Sequence, residues 1–202
     1  MKNNDKFNRA MSYLKNESFR IVIFVTLFLL IPLVNLVSAS EFEIHVNKAA
    51  NLLNVIQDNK IIKQYSVSIG RGGVGDKKKV GDKRTPVGIY YVTKLKDSDK
   101  FHYFFGLNYP NLKDGFFGYK RGLITIEQFN AIKRASLNKN TPPQNTKLGG
   151  AIGIHGIGKQ TKQKLLIHKN INWTEGCIAV ENHEVMELKK FIKIGTLVKI
   201  TE

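Results

Sequence analysis

Downstream of residue 40, apolar side chains fall into short runs rich in Val, Ile and Tyr, broken by Gly, Asn and Asp. Such runs predict strands, here over 42–46, 52–57, 61–69 and 88–93. Asp58-Asn59-Lys60 reads as a hairpin turn, because Asp and Asn tolerate the positive φ of tight turns. Between residues 109 and 150 this rhythm stops. Thr125 and Gln128 have capping-box spacing, and Ile126, Phe129, Ile132 and Ala135 recur at helical period, predicting a helix over 125–137. The region 109–150 therefore reads as an insertion beside the sheet. Near the end, Asn182 is placed to cap a helix over 183–193 with Val185, Leu188 and Ile192 as its stripe. Three lysines favour its carboxyl end, Gly195 stops it, and 196–200 alternates as a closing strand. The class expected is mainly β with two helices.

The first forty residues differ. A polar, basic stretch to Arg20 precedes an apolar run from Ile21 to Val34, and small side chains follow. This is the pattern of a secretory signal peptide or an N-terminal membrane anchor, with possible membrane association through 21–38. About 160 residues then remain for one exported domain over 41–202.

The net charge is +16, of which +13 remains after the five basic and two acidic residues of the leader. Nucleic acid is the usual partner for such charge, but export argues against it, and the lysines are scattered as on a solvated basic surface. Cys177 is the only cysteine. In an oxidising compartment a lone thiol is buried, paired with another chain, or reactive.

Gly70-Arg71-Gly72-Gly73-Val74-Gly75 has dinucleotide-loop spacing, but lysines and Gly81-Asp82 follow where a helix is needed, so it reads as a flexible connection. A Walker loop fails because Asp76 stands in the lysine position. His155, His168, Cys177 and His183 are spaced by thirteen, nine and six residues, with no close ligand pair, so no metal is expected.

What remains is Ile154-His155-Gly156 followed by Trp173-Thr174-Glu175-Gly176-Cys177. This pair resembles the signature of the L,D-transpeptidases, in which an Ile-His-Gly element precedes a Ser/Thr-x-Gly-Cys element. Val67 to Gly70 and Thr85-Pro86-Val87-Gly88 are similar to the family's upstream pattern, so the resemblance brackets about 42–201. It implies a mostly antiparallel L,D-transpeptidase-type β-sandwich with a few helices. Cys177 is then the nucleophile and His155 its base, forming an ion pair, with His168 the runner-up base. The Gly156 carbonyl would orient the imidazole, and the N–H groups of Gly176 and Cys177 would bind the oxyanion. Thr174 and Glu175 are possible substrate contacts, while Trp173 reads as a core or rim aromatic. Two departures stand out: Glu175 replaces a frequent His, and Ala179 a frequent Arg or Asn.

The implied reaction needs no cofactor. Cys177 would form a thioester with a peptidoglycan tetrapeptide stem, release D-alanine, and pass the acyl group to an amine of another stem or of an envelope lipoprotein lysine, in the periplasm or cell wall. Hydrolysis at the same site, as a carboxypeptidase or amidase, is the alternative. A noncatalytic wall-binding domain is the reading from another class.

Overall fold

Strand alternation settles the core. In β1 (Glu43–Asn47) Ile44 and Val46 point inward, as do Leu53 and Val55 in β2 (Leu52–Gln57), and Val198 and Ile200 in β8 (Leu197–Thr201). Period-two burial of this kind holds each strand in register, since a one-residue slip would expose every inward side chain. The computed structural model describes residues 41–202. The leader, with its reading as signal peptide or anchor, lies outside the described residues. Among the described residues no helix is long and apolar enough to cross a membrane.

Eight strands form one mixed sheet. Beside those three are β3 (Lys60–Ser66), β4 (Gly88–Ser98), β5 (His102–Leu107), β6 (Gly153–Gly156) and β7 (Ile178–Val180), in the order β3-β2-β1-β8-β4-β5-β6-β7. The β1–β8 and β6–β7 pairs are parallel and the other pairs antiparallel. The long β4 turns the corner of the sandwich. Its residues 88–91 pair with β8, and from Val92 onward it pairs with β5, with an irregularity between Val92 and Lys94. Bulges at such corners let one strand serve two layers.

The strand expected over 61–69 ends at Ser66. Past that point the chain leaves β2 and reaches the far edge of the sheet, where Ser68 bridges Ala179 and Gly70 bridges Thr174. Backbone bonds from Ser68 N–H to the Ala179 carbonyl (3.0 Å) and from Ala179 N–H to the Ser68 carbonyl (2.8 Å) tie the two edges together.

The expected helix over 125–137 is α2 (Ile126–Leu137), capped by Thr125 and Gln128 as its sequence implies. The remaining helices depart from expectation. Segment 109–150 also holds α1 (Leu112–Lys120), and the connection after His155 holds α3 (Lys162–Asn170). The last helix, α4, runs only over Asn182–Leu188, not to 193, with Glu181 at its cap. Asn182 is used elsewhere: its side chain accepts from Gly158 N–H (3.0 Å) and donates to the Gly158 carbonyl (2.7 Å), fixing the chain just past His155. The glycine-rich connection is also braced, not loose. Asp82 accepts from the N–H groups of Lys78, Lys79 and Arg84 and from buried Lys77 (2.7 Å), and Gly72 N–H donates to the Lys83 carbonyl.

Segment 109–150 has its own small core of Ile124, Ile132 and Leu148. It is fastened to the sheet by the buried Asp114, whose Oδ2 accepts from Tyr90 Oη (2.9 Å) and Asn111 N–H (2.9 Å), with Lys113 Nζ 3.2 Å from Oδ1. Removing this carboxylate strands two buried donors, Tyr90 Oη and Asn111 N–H, while Lys113 keeps its pairing with Asp76. Asp114→Ala is expected to cost about 2 to 4 kcal/mol. Urea unfolding should show that loss, Asp114→Asn should lose less, and the melting temperature of the alanine variant should fall by roughly 5 to 15 °C.

Candidate active site

β6 and β7 are short, and every residue in them is buried. Their parallel register sets Ile154 beside Ile178 and His155 beside Ala179. Ile154, Ile178 and Val180 point into the main core. Alternation then puts His155 and Ala179 on the opposite face, and one step back puts Cys177, level with Gly153, on that same face. Strand pairing thus makes the two residues diagonal neighbours, although they are 22 positions apart in sequence.

His155 is 1% exposed. Nδ1 lies 2.8 Å from the Gly156 carbonyl. A carbonyl only accepts, so Nδ1 carries the proton and Nε2 keeps its lone pair. Rings surround the imidazole: Phe101 at 4.1 Å between centroids, Trp173 at 6.1 Å and Phe104 at 6.3 Å. This burial pushes the imidazole down to about 4 against the partial help of the Gly156 carbonyl, and Lys164, His168 and Lys100 add to the effect.

Burial acts on Cys177 in the other sense. Although part of the residue reaches solvent, its thiol is pushed up to about 11, opposed by the Gly153 N–H and by the charges of Lys77 and Lys100. The expected ion pair is therefore not the resting state, which is a protonated thiol beside a neutral imidazole. The thiol donates to the Ala151 carbonyl at 3.4 Å.

The turn that carries Cys177 is built from backbone contacts. Thr174 N–H donates to the Ile69 carbonyl (3.1 Å), and Arg71 N–H to the Thr174 carbonyl (3.0 Å). The Thr174 hydroxyl donates to the Cys177 carbonyl (2.7 Å) and accepts from Gly176 N–H (3.1 Å). Two expectations change here. Thr174 is buried with its hydroxyl engaged on both sides, so it shapes the turn. The Gly176 N–H, expected to be an oxyanion donor, is already given to that hydroxyl. Position 176 still requires glycine: φ is +131°, and a Cβ would sit 2.7 Å from the Arg84 carbonyl oxygen. Glu175 is exposed and paired with Arg71.

His168, the alternative base, is buried on α3 with Nδ1 accepting from Trp173 Nε1 (3.4 Å), so the indole stands between it and His155. Among the described residues no group of three or more His, Cys, Asp or Glu could hold a metal ion. Sequence reasoning missed Phe101, Phe104 and Ala151. The first two lie in an aromatic run, 101–105, whose enrichment in Phe and Tyr is a strand signal. Ala151 carries no local signal.

Solved structures with this fold include the helical cell shape determining protein Pgp2 of Campylobacter jejuni, 23% identical with a TM-score of 0.52, the match covering 81% of this chain and 48% of that one. Bd1075 of Bdellovibrio bacteriovorus is 24% identical with a TM-score of 0.49, covering 80% and 48%. An L,D-transpeptidase of Xylanimonas cellulosilytica is 15% identical with a TM-score of 0.46, covering 80% and 61%. The chain spans about half the length of the first two. Comparison with curated proteins gives no match. The YkuD model, which describes the L,D-transpeptidase catalytic domain, matches residues 41–200, and the chain belongs to that family.

Proposed function

We propose that this chain is a peptidoglycan acyltransferase in which Cys177 is the nucleophile and His155 the base. The observation that carries the reading is the Nδ1–H bond to Gly156, which leaves Nε2 unprotonated on the face shared with Cys177. A tautomer fixed in this way is what a general base requires. The Cys177 sulfur attacks the carbonyl of the third stem residue while its proton moves to Nε2. His155 returns that proton to the departing amine, the C–N bond breaks, and D-alanine leaves behind a thioester. An acceptor amine then attacks the thioester, His155 takes its proton, and the thiol is restored. With the Gly176 N–H engaged, the Cys177 N–H is the donor we assign to the oxyanion.

Family membership supports the thioester chemistry, and a stem peptide in the cell wall is the substrate consistent with an exported domain. Residues 1–40 would direct that export as signal peptide or anchor. The acceptor would be an amine of a second stem or of a lipoprotein lysine. Pgp2 is described as a cell shape determinant, and a crosslinking role in cell shape is the corresponding reading here.

Mass spectrometry of the protein with purified tetrapeptide muropeptides should show a crosslinked product. Cys177→Ala should lower its formation by about a thousandfold or more. Release of D-alanine without crosslinking would make the enzyme a hydrolase. No Cys177-dependent change at all would leave a wall-binding domain.

The resting neutral pair sets the pH dependence. Proton abstraction needs unprotonated His155, so kcat/KM should hold level from neutrality down to about pH 5 and fall toward pH 4. An acid limb near the ordinary histidine value of 6.5 would contradict the buried base. Stability follows the same shift. Because the folded value lies below the unfolded one, the unfolded chain binds more protons between about pH 4 and 6.5, so His155 lowers stability as pH falls through that window and ceases to do so above it. The contribution is up to about 3 kcal/mol. Urea unfolding across that range should give a visibly flatter slope for His155→Gln than for the wild type.

A further inference from the structure

The carbonyl that receives the Cys177 thiol belongs to a residue in an uncommon backbone state. Ala151 is exposed and has φ of +53°. For a residue with a Cβ, the left-handed region costs about 1 kcal/mol or more. Its neighbour Ile152, just before β6, is already tied to β5, its carbonyl accepting from Leu107 N–H (2.9 Å). The conformation at 151 therefore decides where the chain enters β6 and where the Ala151 carbonyl points.

One side chain holds it. Gln144 Oε1 accepts from Ala151 N–H at 2.6 Å, and its Nε2 donates to the carbonyls of Tyr109 and Pro142, each at 2.9 Å. Both ends of the carboxamide are thus engaged, and its orientation is fixed by two carbonyls that only a donor can satisfy. The residue between them fits the same clamp: a Cβ at Gly150 would lie 2.6 Å from Gln144 Oε1. Gln144 and Ala151 are both exposed, so the core does not need either side chain.

We propose that Gln144 is a positioning residue for Cys177. By clamping Ala151 in the left-handed conformation it aims the Ala151 carbonyl at Sγ, and this hydrogen bond adds to burial in holding the thiol protonated until a substrate displaces it. A carbonyl oxygen stabilises S–H and repels a thiolate, so the clamp acts on the nucleophile with no contact of its own. Segment 109–150 thereby reaches the active site through a single carboxamide. The inference rests on Cys177 being the nucleophile, as proposed above.

The test is the pH dependence of Cys177 alkylation by iodoacetamide, which needs no peptidoglycan substrate. In Gln144→Met, which keeps the length but loses every hydrogen bond, the midpoint should fall by about one pH unit and the rate at neutral pH should rise about tenfold. Ala151→Val should reproduce this shift without touching Gln144, because β-branched residues are strongly excluded from positive φ. Ala151→Gly tolerates the conformation and should keep the wild-type profile. Gln144→Glu retains the acceptor for Ala151 N–H but presents a carboxylate to two carbonyls, so it should shift in the same direction as Gln144→Met. Wild-type midpoints in both Gln144→Met and Ala151→Val would overturn the proposal, as would a lowered melting temperature with an unmoved midpoint, the signature of a purely structural brace. A shifted midpoint in a protein with no Cys177-dependent action on muropeptides would uphold the clamp and reject the transferase reading.

Discussion

The parallel register of β6 and β7 is the constraint on which the rest of the site depends. Two strands of four and three residues bring a histidine and a cysteine to one face, and a slip of one position would turn Ile154 and Ile178 outward and His155 into the core. So short a pair cannot hold its own register. It is held from outside by β5 pairing on one edge, the Ser68–Ala179 bridge on the other, and the Asn182–Gly158 clasp at the end. The curled sheet therefore serves the site directly, because its two edges meet on either side of Cys177.

Burying the imidazole among aromatic rings beside a half-buried thiol has a chemical consequence. Desolvation penalises the thiolate and the imidazolium together, so the charge-separated pair does not form in advance. In the reaction proposed above, the proton would then move as the sulfur–carbon bond forms, when charge passes to the substrate oxygen and the Gly156 carbonyl supports the imidazolium. Such a site gives up resting nucleophilicity. In return a lone cysteine is kept as a thiol, which oxidants and stray acyl donors attack far more slowly than a thiolate.

What could be read from the sequence follows from how local each signal is. The start of α2 was legible because Thr125 and Gln128 carry both halves of a capping box and the apolar period follows at once. α3 was not, since Leu165, Leu166 and Ile167 are consecutive rather than periodic, and Leu166 and Ile167 face solvent. α4 begins one residue earlier than its cap signal because the Glu184 carboxylate reaches back to the Glu181 N–H (2.8 Å), while tertiary structure gives the Asn182 side chain to Gly158. Cys177 and His155 stood out as a motif. Phe101, Ala151 and Gln144 come from a hairpin turn and from loops, brought beside the motif by pairing between strands distant in sequence, and no window of the chain contains that information.

The same distinction explains why the departures at Glu175 and Ala179 leave the nucleophile turn intact. That turn is held by the backbone of residues 68–71, by the Arg84 carbonyl packed against Gly176, and by the Thr174 hydroxyl, none of which depends on the side chain at 175 or 179. Glu175 points outward to Arg71, and Ala179 contributes its N–H and carbonyl to Ser68. Ala179 also lies beside His155 on the same face, where a longer side chain would compete with the imidazole for space already bounded by three rings. Position 175 thus faces solvent while position 179 is buried against the imidazole, so a change at 175 leaves the turn and the histidine untouched and a change at 179 does not.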